Sequence, residues 1–256
     1  MSEQISFLDY YLDIDPLSMV INSDKKITIN TINQYSFCMA EEDPLFRQSL
    51  LSSDMLLADG EGIVIACQYL TGRRIEKIAG AQMHEHLLNC LNKNYGKCIY
   101  IGSTDTTLDR IRRRLQVEYP NITADFYSPP FKKIFEEKDI THILGIVNNL
   151  NPDVVFIGLT APKQEKLAHH LKEHMNANVI CSIGAVFDFF AGTIRRPSQF
   201  WIDIKMEWLV RLIREPRRMW RRYIYYGFIF LLLVVKEKSK LKRYQPAPAI
   251  LENEII

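Results

Sequence analysis

The chain has 256 residues, 47% of them hydrophobic and 24% charged, and a formal net charge of +2. That is material for one large α/β domain and excludes a disordered or fibrous chain. The near-neutral total hides an asymmetry. Residues 202–243 carry twelve Lys/Arg against four Asp/Glu, a net of +8, which leaves −6 on the remainder, so one end is built to meet anions.

The N-terminal stretch MSEQISFLDYYLDID is polar and acidic, with no basic n-region, and does not read as a secretory signal. It contains a D-x-D pair, Asp13-Ile14-Asp15, of the kind that can hold a metal in nucleotide-sugar enzymes. Its place just before Pro16 makes a turn or cap the expectation. Strand-like runs follow at 25–33, 53–60, 97–103, 122–128, 152–160 and 178–190, each ending in turn residues. Helix-like segments lie between several of them, at 62–72, 81–96, 105–120, 139–152 and 161–176. Apolar strands alternating with helices predict parallel pairing with helical crossovers, and residues 20–195 read as one three-layer α/β domain. His84 and His86 flank Glu85, and His169 and His170 are adjacent. Neither pair has metal-ligand spacing on a helix, so both are expected on the surface or partly in the core, and no metal is expected. Five scattered cysteines, odd in number and without a C-x-x-C pair, argue against disulfides or zinc and fit a reducing compartment.

The last quarter is helical in composition, and Pro216 is expected to kink or split it. Arg211, Arg214, Arg218 and Arg221 are spaced by 3, 4 and 3, which puts all four on one helix face if the helix survives Pro216. Residues 224–235 then form a twelve-residue apolar and aromatic run between Arg221/Arg222 and a basic group, Lys236, Lys238, Lys240, Lys242 and Arg243. A bilayer span needs roughly 20 residues, so this run suits a segment lying on an anionic membrane surface. A core helix with a solvated charged tail is the alternative. A nucleic-acid reading of the basic tail leaves its apolar middle unexplained, so no nucleic-acid partner is expected. Residues 244–256 read as a disordered tail.

Four strand ends carry polar groups where a parallel sheet opens its ligand cleft: Thr31-Ile32-Asn33, Asp59-Gly60-Glu61-Gly62, the run from Thr160 through Pro162, Lys163, Gln164 and Glu165, and Gly184 through Asp188 to Gly192. Asp59 is a turn residue or N-cap on a bland reading and a chemical group on a sharper one. Asp188 is expected inside an apolar strand end, where a lone acid is costly unless paired or ligand-facing.

Taken in order, Thr31-Asn33, Ala58-Asp59-Gly60-Glu61-Gly62, Ala79-Gly80, Gly158 with Pro162-Lys163-Gln164-Glu165, Gly184-Phe187-Asp188-Gly192, Arg196-Pro197 and the block from Glu207-Trp208-Leu209 to Arg222-Tyr223 resemble the WecG/TagA/CpsF family of bacterial glycosyltransferases. The resemblance implies a Rossmann-like core, residues 1–198, and a C-terminal helical membrane-associating appendage, residues 199–243. It implies an inverting, metal-independent transfer from a UDP-sugar to a saccharide on a polyprenyl diphosphate, without a cofactor, at the cytoplasmic membrane face. By that resemblance Asp59 is the general base, with Arg211, Arg218 and Arg221 neutralising the UDP leaving group. Thr31, Asn33 and Gly60 line the pocket, Lys77 stands where the family often has arginine, and Gln164 and Asp188 hold the nucleoside. Gly158, Lys163, Glu165, Gly184 and Arg214 complete the expected substrate contacts. A nucleotide-sugar-binding scaffold without catalysis is the alternative, and the apolar appendage offers a surface for a homo-oligomer.

Overall fold

A computed structural model describes residues 3–18, 21 and 25–244, the side chains of Lys242 and Tyr244 excepted. The chain opens with an antiparallel hairpin, β1 (Gln4–Phe7) and β2 (Tyr10–Asp13). Then come β3 (Ile27–Ile32), α1 (Gln34–Glu42), α2 (Pro44–Leu51), β4 (Met55–Ala58), α3 (Glu61–Thr71), α4 (Gly80–Lys93), β5 (Lys97–Ile101), α5 (Asp105–Glu118), β6 (Thr123–Tyr127), α6 (Glu137–Leu150), β7 (Val154–Ile157), α7 (Lys163–Leu171) and β8 (Val179–Ser182). The six later strands form one sheet in the order β4-β3-β8-β7-β5-β6, every pair parallel. Helices cover both faces, so the fold is α/β and Rossmann-like, as expected. The strands at its centre are buried on both sides; β7 and β8 are buried along their whole length, which is why VVFI and the VIC of β8 are continuous apolar runs instead of alternating ones.

Local chemistry sets the helix boundaries near the cleft. The Asn33 side chain accepts from the backbone N–H of Tyr35 and Ser36 at 3.1 and 3.0 Å, while Ser36 Oγ accepts from Asn33 N at 2.8 Å. This reciprocal cap starts α1 at the end of β3. Gly60, at φ 140°, makes the turn from β4 into α3, a conformation that L side chains rarely adopt.

Two expectations are corrected and one is narrowed, that for His84. Asp13 is neither a turn nor an exposed cap. It ends β2, is buried, and its Oδ2 accepts the Leu56 backbone N–H at 2.9 Å. The hairpin thereby closes part of the free edge of β4. His84 is not superficial: it is buried between Tyr100, Phe156 and Phe190, with Nε2 2.8 Å from the Tyr100 hydroxyl. Desolvation lowers its pKa to about 3, so it is a neutral core group. The 178–190 run is not one strand: β8 stops at Ser182, and Asp188 sits on a short helix, α8 (Val186–Phe190).

The C-terminal quarter divides into α9 (Gln199–Asp203), α10 (Glu207–Arg214), α11 (Pro216–Trp220), a π-helical turn at Arg221–Tyr225 and α12 (Tyr226–Tyr244). Pro216 starts α11, as a residue without a backbone donor should. The four arginines therefore do not share one helix. Phe230 and Val234 on α12 are buried against the cluster that holds Phe37, Ile63 and Leu70. The Phe230 and Phe37 rings meet edge to face, 5.4 Å apart. On its other side α12 exposes Phe228, Leu231, Leu232 and Val235. Among the described residues no helix is long and apolar enough to cross a membrane. The expected tail, from residue 245 on, lies outside the described residues.

Candidate active site

The C-terminal strand ends and the appendage enclose two adjoining cavities, of about 920 and 410 Å³. Asn33, Tyr35, Asp59, Glu207, Arg211 and Arg222 line both, and so form the partition between them. The sheet supplies the floor. Thr31 and Asn33 come from the end of β3, Asp59 from β4, Gly184 from β8 and Gly158 from β7.

Asp59 occupies the partition because register puts it there: Ile32 pairs with Ala58, and Asp59 N donates to Ile32 O at 2.9 Å. Its carboxyl is pushed up to about 6, first by desolvation and then by the Glu207 carboxylate, against the opposing pull of Arg211, Lys77 and Arg196. A carboxylate poised there is ionised at neutral pH yet basic enough to take a proton.

The larger cavity gathers Thr31, Gly158, Lys163, Gln164, Glu165, Gly184, Asp188, Arg196, Arg211 and Arg218. Gln164 Nε2 donates to Glu165 Oε1 at 2.9 Å, while Gln164 Oε1 and Glu165 Oε2 are buried without a hydrogen-bond partner. Burial holds the Glu165 carboxyl at about 7. Asp188 Oδ1 accepts from the Thr193 hydroxyl at 3.2 Å. Lys163 turns toward the loop after β6, where its Nζ bonds Lys132 O and lies 4.9 Å from the centre of the Phe135 ring. Gly158 packs so closely on Phe187 that a Cβ would fall 2.4 Å from the ring; its small size serves packing in the cleft floor.

The smaller cavity holds Gly60, Glu61, Lys77, Lys205, Trp208 and Tyr223 beside the shared residues. Here core and appendage are stitched together. Lys77 Nζ stands 3.7 Å from Glu61 and 3.9 Å from Glu207, and Lys205 Nζ is 2.9 Å from the other oxygen of Glu61.

Two expected residues fall outside. Arg214 is exposed and donates to Arg195 O at 2.9 Å, and Arg221 is exposed; neither lines either of these two cavities. The break at Pro216 and the π turn re-aim the stripe. Arg222 takes the place expected for Arg221, in both cavities and 4.7 Å over the Tyr35 ring. Sequence reasoning gave no role to Arg222, Tyr35, Glu207 or Arg196. The paired arginines at 221–222 were the available signal, and a regular helical spacing could not choose between them. Among the described residues no cluster of three or more His, Cys, Asp or Glu has a metal-binding arrangement.

Comparison with known proteins places the chain in a family. The model described as "Glycosyl transferase WecG/TagA/CpsF family" matches residues 8–244. A Bacillus subtilis protein called N-acetylglucosaminyldiphosphoundecaprenol N-acetyl-beta-D-mannosaminyltransferase is 30% identical over 96% of this chain and 92% of its own. Proteins of the same name from Bacillus spizizenii and Staphylococcus aureus are 26% identical (87% of this chain, 82% of theirs) and 24% identical (86% and 84%).

Proposed function

Because the chain belongs to the WecG/TagA/CpsF family of glycosyl transferases, we propose that it moves a sugar from a UDP-sugar to a saccharide carried on a polyprenyl diphosphate, inverting the anomeric centre without a metal. Asp59 carries this reading. Its carboxyl, raised by burial, stands at a strand end in the wall common to both cavities, where a donor on one side and an acceptor on the other would meet.

The larger cavity takes the donor, with the diphosphate toward Arg196 and Arg218 and the nucleoside toward Gln164 and Asp188. The smaller cavity takes the acceptor saccharide, which would lie beside Trp208 and Lys77. Asp59 accepts the proton of the acceptor hydroxyl. The oxygen bonds to the anomeric carbon, and the bond from that carbon to the β-phosphate oxygen breaks, its electrons leaving with UDP. Arg211 and Arg218 stabilise the charge that develops on the diphosphate, the task a metal performs in other transferases. The names of the relatives support N-acetylglucosaminyl-diphosphate-lipid as acceptor class and an N-acetylmannosaminyl group as the first donor to try.

In this reading residues 1–198 are the catalytic core and 199–243 the appendage. The exposed Phe228, Leu231, Leu232 and Val235, with Lys236 beside them, support peripheral attachment to the cytoplasmic membrane face. The test is UDP release by the purified chain with a panel of UDP-sugars and a diphosphate-linked GlcNAc lipid, with and without EDTA. Acceptor-dependent, EDTA-resistant release with one sugar is the expected outcome. UDP binding without release from any pair would make the protein a binder, and metal-reversible loss would remove the arginines' assigned task.

A further inference from the structure

Among the described residues, three appendage arginines line the cleft, and their surroundings differ. Arg218 lines only the larger cavity and already holds Glu215 at 2.9 Å. Arg211 lines both cavities, 5.6 Å over the Phe189 ring. Arg222 also lines both, is half-buried, and lies 4.7 Å over Tyr35, a residue of the core. Burial lowers the pKa of its guanidinium; Tyr35 pulls the other way, and Arg218 and Arg211 lower it further. Among the described residues no carboxylate comes within ion-pair distance of Arg222; the nearby acids are engaged elsewhere, Glu215 with Arg218 and Glu207 with Lys77.

A desolvated cation crowded by two others is costly unless an anion arrives. The local backbone explains why this residue bears the cost. The π turn at Arg221–Tyr225 adds a residue to one helical turn and rotates the register, so Arg221 points to solvent and Arg222 to the partition. The guanidinium carbon lies 4.7 Å from the centre of the Tyr35 ring. Among the described residues no hydrogen bond or ion pair engages its N–H groups, which leaves to a ligand the fork that can grip a phosphate with two hydrogen bonds. Tyr35 is itself held. Its backbone N–H donates to Asn33 Oδ1, and its ring meets Tyr226 edge to face at 5.1 Å.

We propose that Arg222 binds a diphosphate group at the junction of the two cavities, and that Tyr35 is its positioning residue. This rests on the transferase reading above, in which donor and acceptor each carry a diphosphate, so the experiment must say which one Arg222 holds. Full-length Arg222→Ala, Arg222→Lys, Arg221→Ala, Tyr35→Phe and Tyr35→Ala are compared in two assays. One is UDP affinity by calorimetry without acceptor. The other is kcat and KM with GlcNAc linked through diphosphate to a short prenyl chain.

Arg222→Ala is expected to weaken one diphosphate ligand at least tenfold. A raised UDP Kd assigns the donor; an unchanged UDP Kd with a raised acceptor KM assigns the lipid. Arg222→Lys keeps the charge without the fork and recovers only part. Tyr35→Phe keeps the stacking ring and stays near wild type, while Tyr35→Ala loses severalfold in the same parameter as Arg222→Ala. That shared parameter is what a merely structural role would not reproduce, and the two conservative variants carry the test should Arg222→Ala fail to fold. Arg222→Ala equal to wild type in both assays, or Arg221→Ala showing the larger loss, overturns the assignment while the transferase reading stands. Wild-type protein that binds no UDP overturns both.

Discussion

Asp59→Asn separates the chemical role of this carboxylate from its cost. The side chain keeps its shape and loses its charge. In the fold burial pushes the Asp59 carboxyl up to about 6, from an ordinary aspartate value near 4. A raised carboxyl works against folding once it must ionise. Stability is greatest below the unfolded value, where Asp59 is protonated in both states, and is lost as pH rises through the folded value near 6. At pH 7.5 the full penalty is present, roughly 3 kcal/mol for a carboxyl raised from about 4 to about 6. Asp59→Asn should therefore raise the stability of the protein at pH 7.5 by up to about 3 kcal/mol, which for a chain of this size is roughly 5–10 °C in Tm. The advantage should fade toward pH 4. Turnover should fall by about 10²–10⁴-fold, the usual worth of a general base, with UDP affinity kept. Wild-type turnover should itself rise with pH through an apparent pKa near 6. Thermal melts at pH 7.5 and 4 beside a UDP-release assay read all of this. A variant that is both less stable at pH 7.5 and fully active would refute the placement of Asp59 as a desolvated base.

Two further outcomes test the framework around the site. Gly158→Ala drives a Cβ into the Phe187 ring and should cost about 1–3 kcal/mol, as overpacking does; in a urea titration Phe187→Leu should relieve part of it, and additive losses would place the clash elsewhere. Truncation before Tyr226 uncovers the face of α1 and α3 on which Phe230 and Val234 are buried. At about 1.5–3 kcal/mol for each buried side chain, a drop of several kcal/mol in unfolding free energy is expected, and an unchanged urea midpoint would mean that α12 does not seal the core.

The core strands and helices were legible because their signals are local and mutually consistent. Apolar runs such as DVVFIGL end in turn residues, and α4, α5 and α6 begin and end within a few residues of their expected bounds. The polar strand ends were legible for a topological reason, since parallel strands deliver their C-termini to one edge. What escaped depends on contacts between distant segments. The hairpin residue Asp13 reads as a turn or cap until Leu56 is placed beside it, and the choice between surface and core for His84 is made only when three aromatic rings close over it. The arginine stripe failed for a different reason. A spacing of 3, 4 and 3 presumes a regular helix, and a broken helix followed by one π turn hands the cleft to Arg222 instead.

The order of the sheet has a kinetic consequence. The floor of the cleft joins β3 to β8, pairing Ile27 with Val179, so its two sides lie at opposite ends of the core sequence. Contacts of such long range are closed late, because the loop entropy they cost is recovered only when the intervening strands have docked. The cleft should thus form together with the slowest folding phase, and a chain that has acquired its helices but not this central pairing has secondary structure and no site.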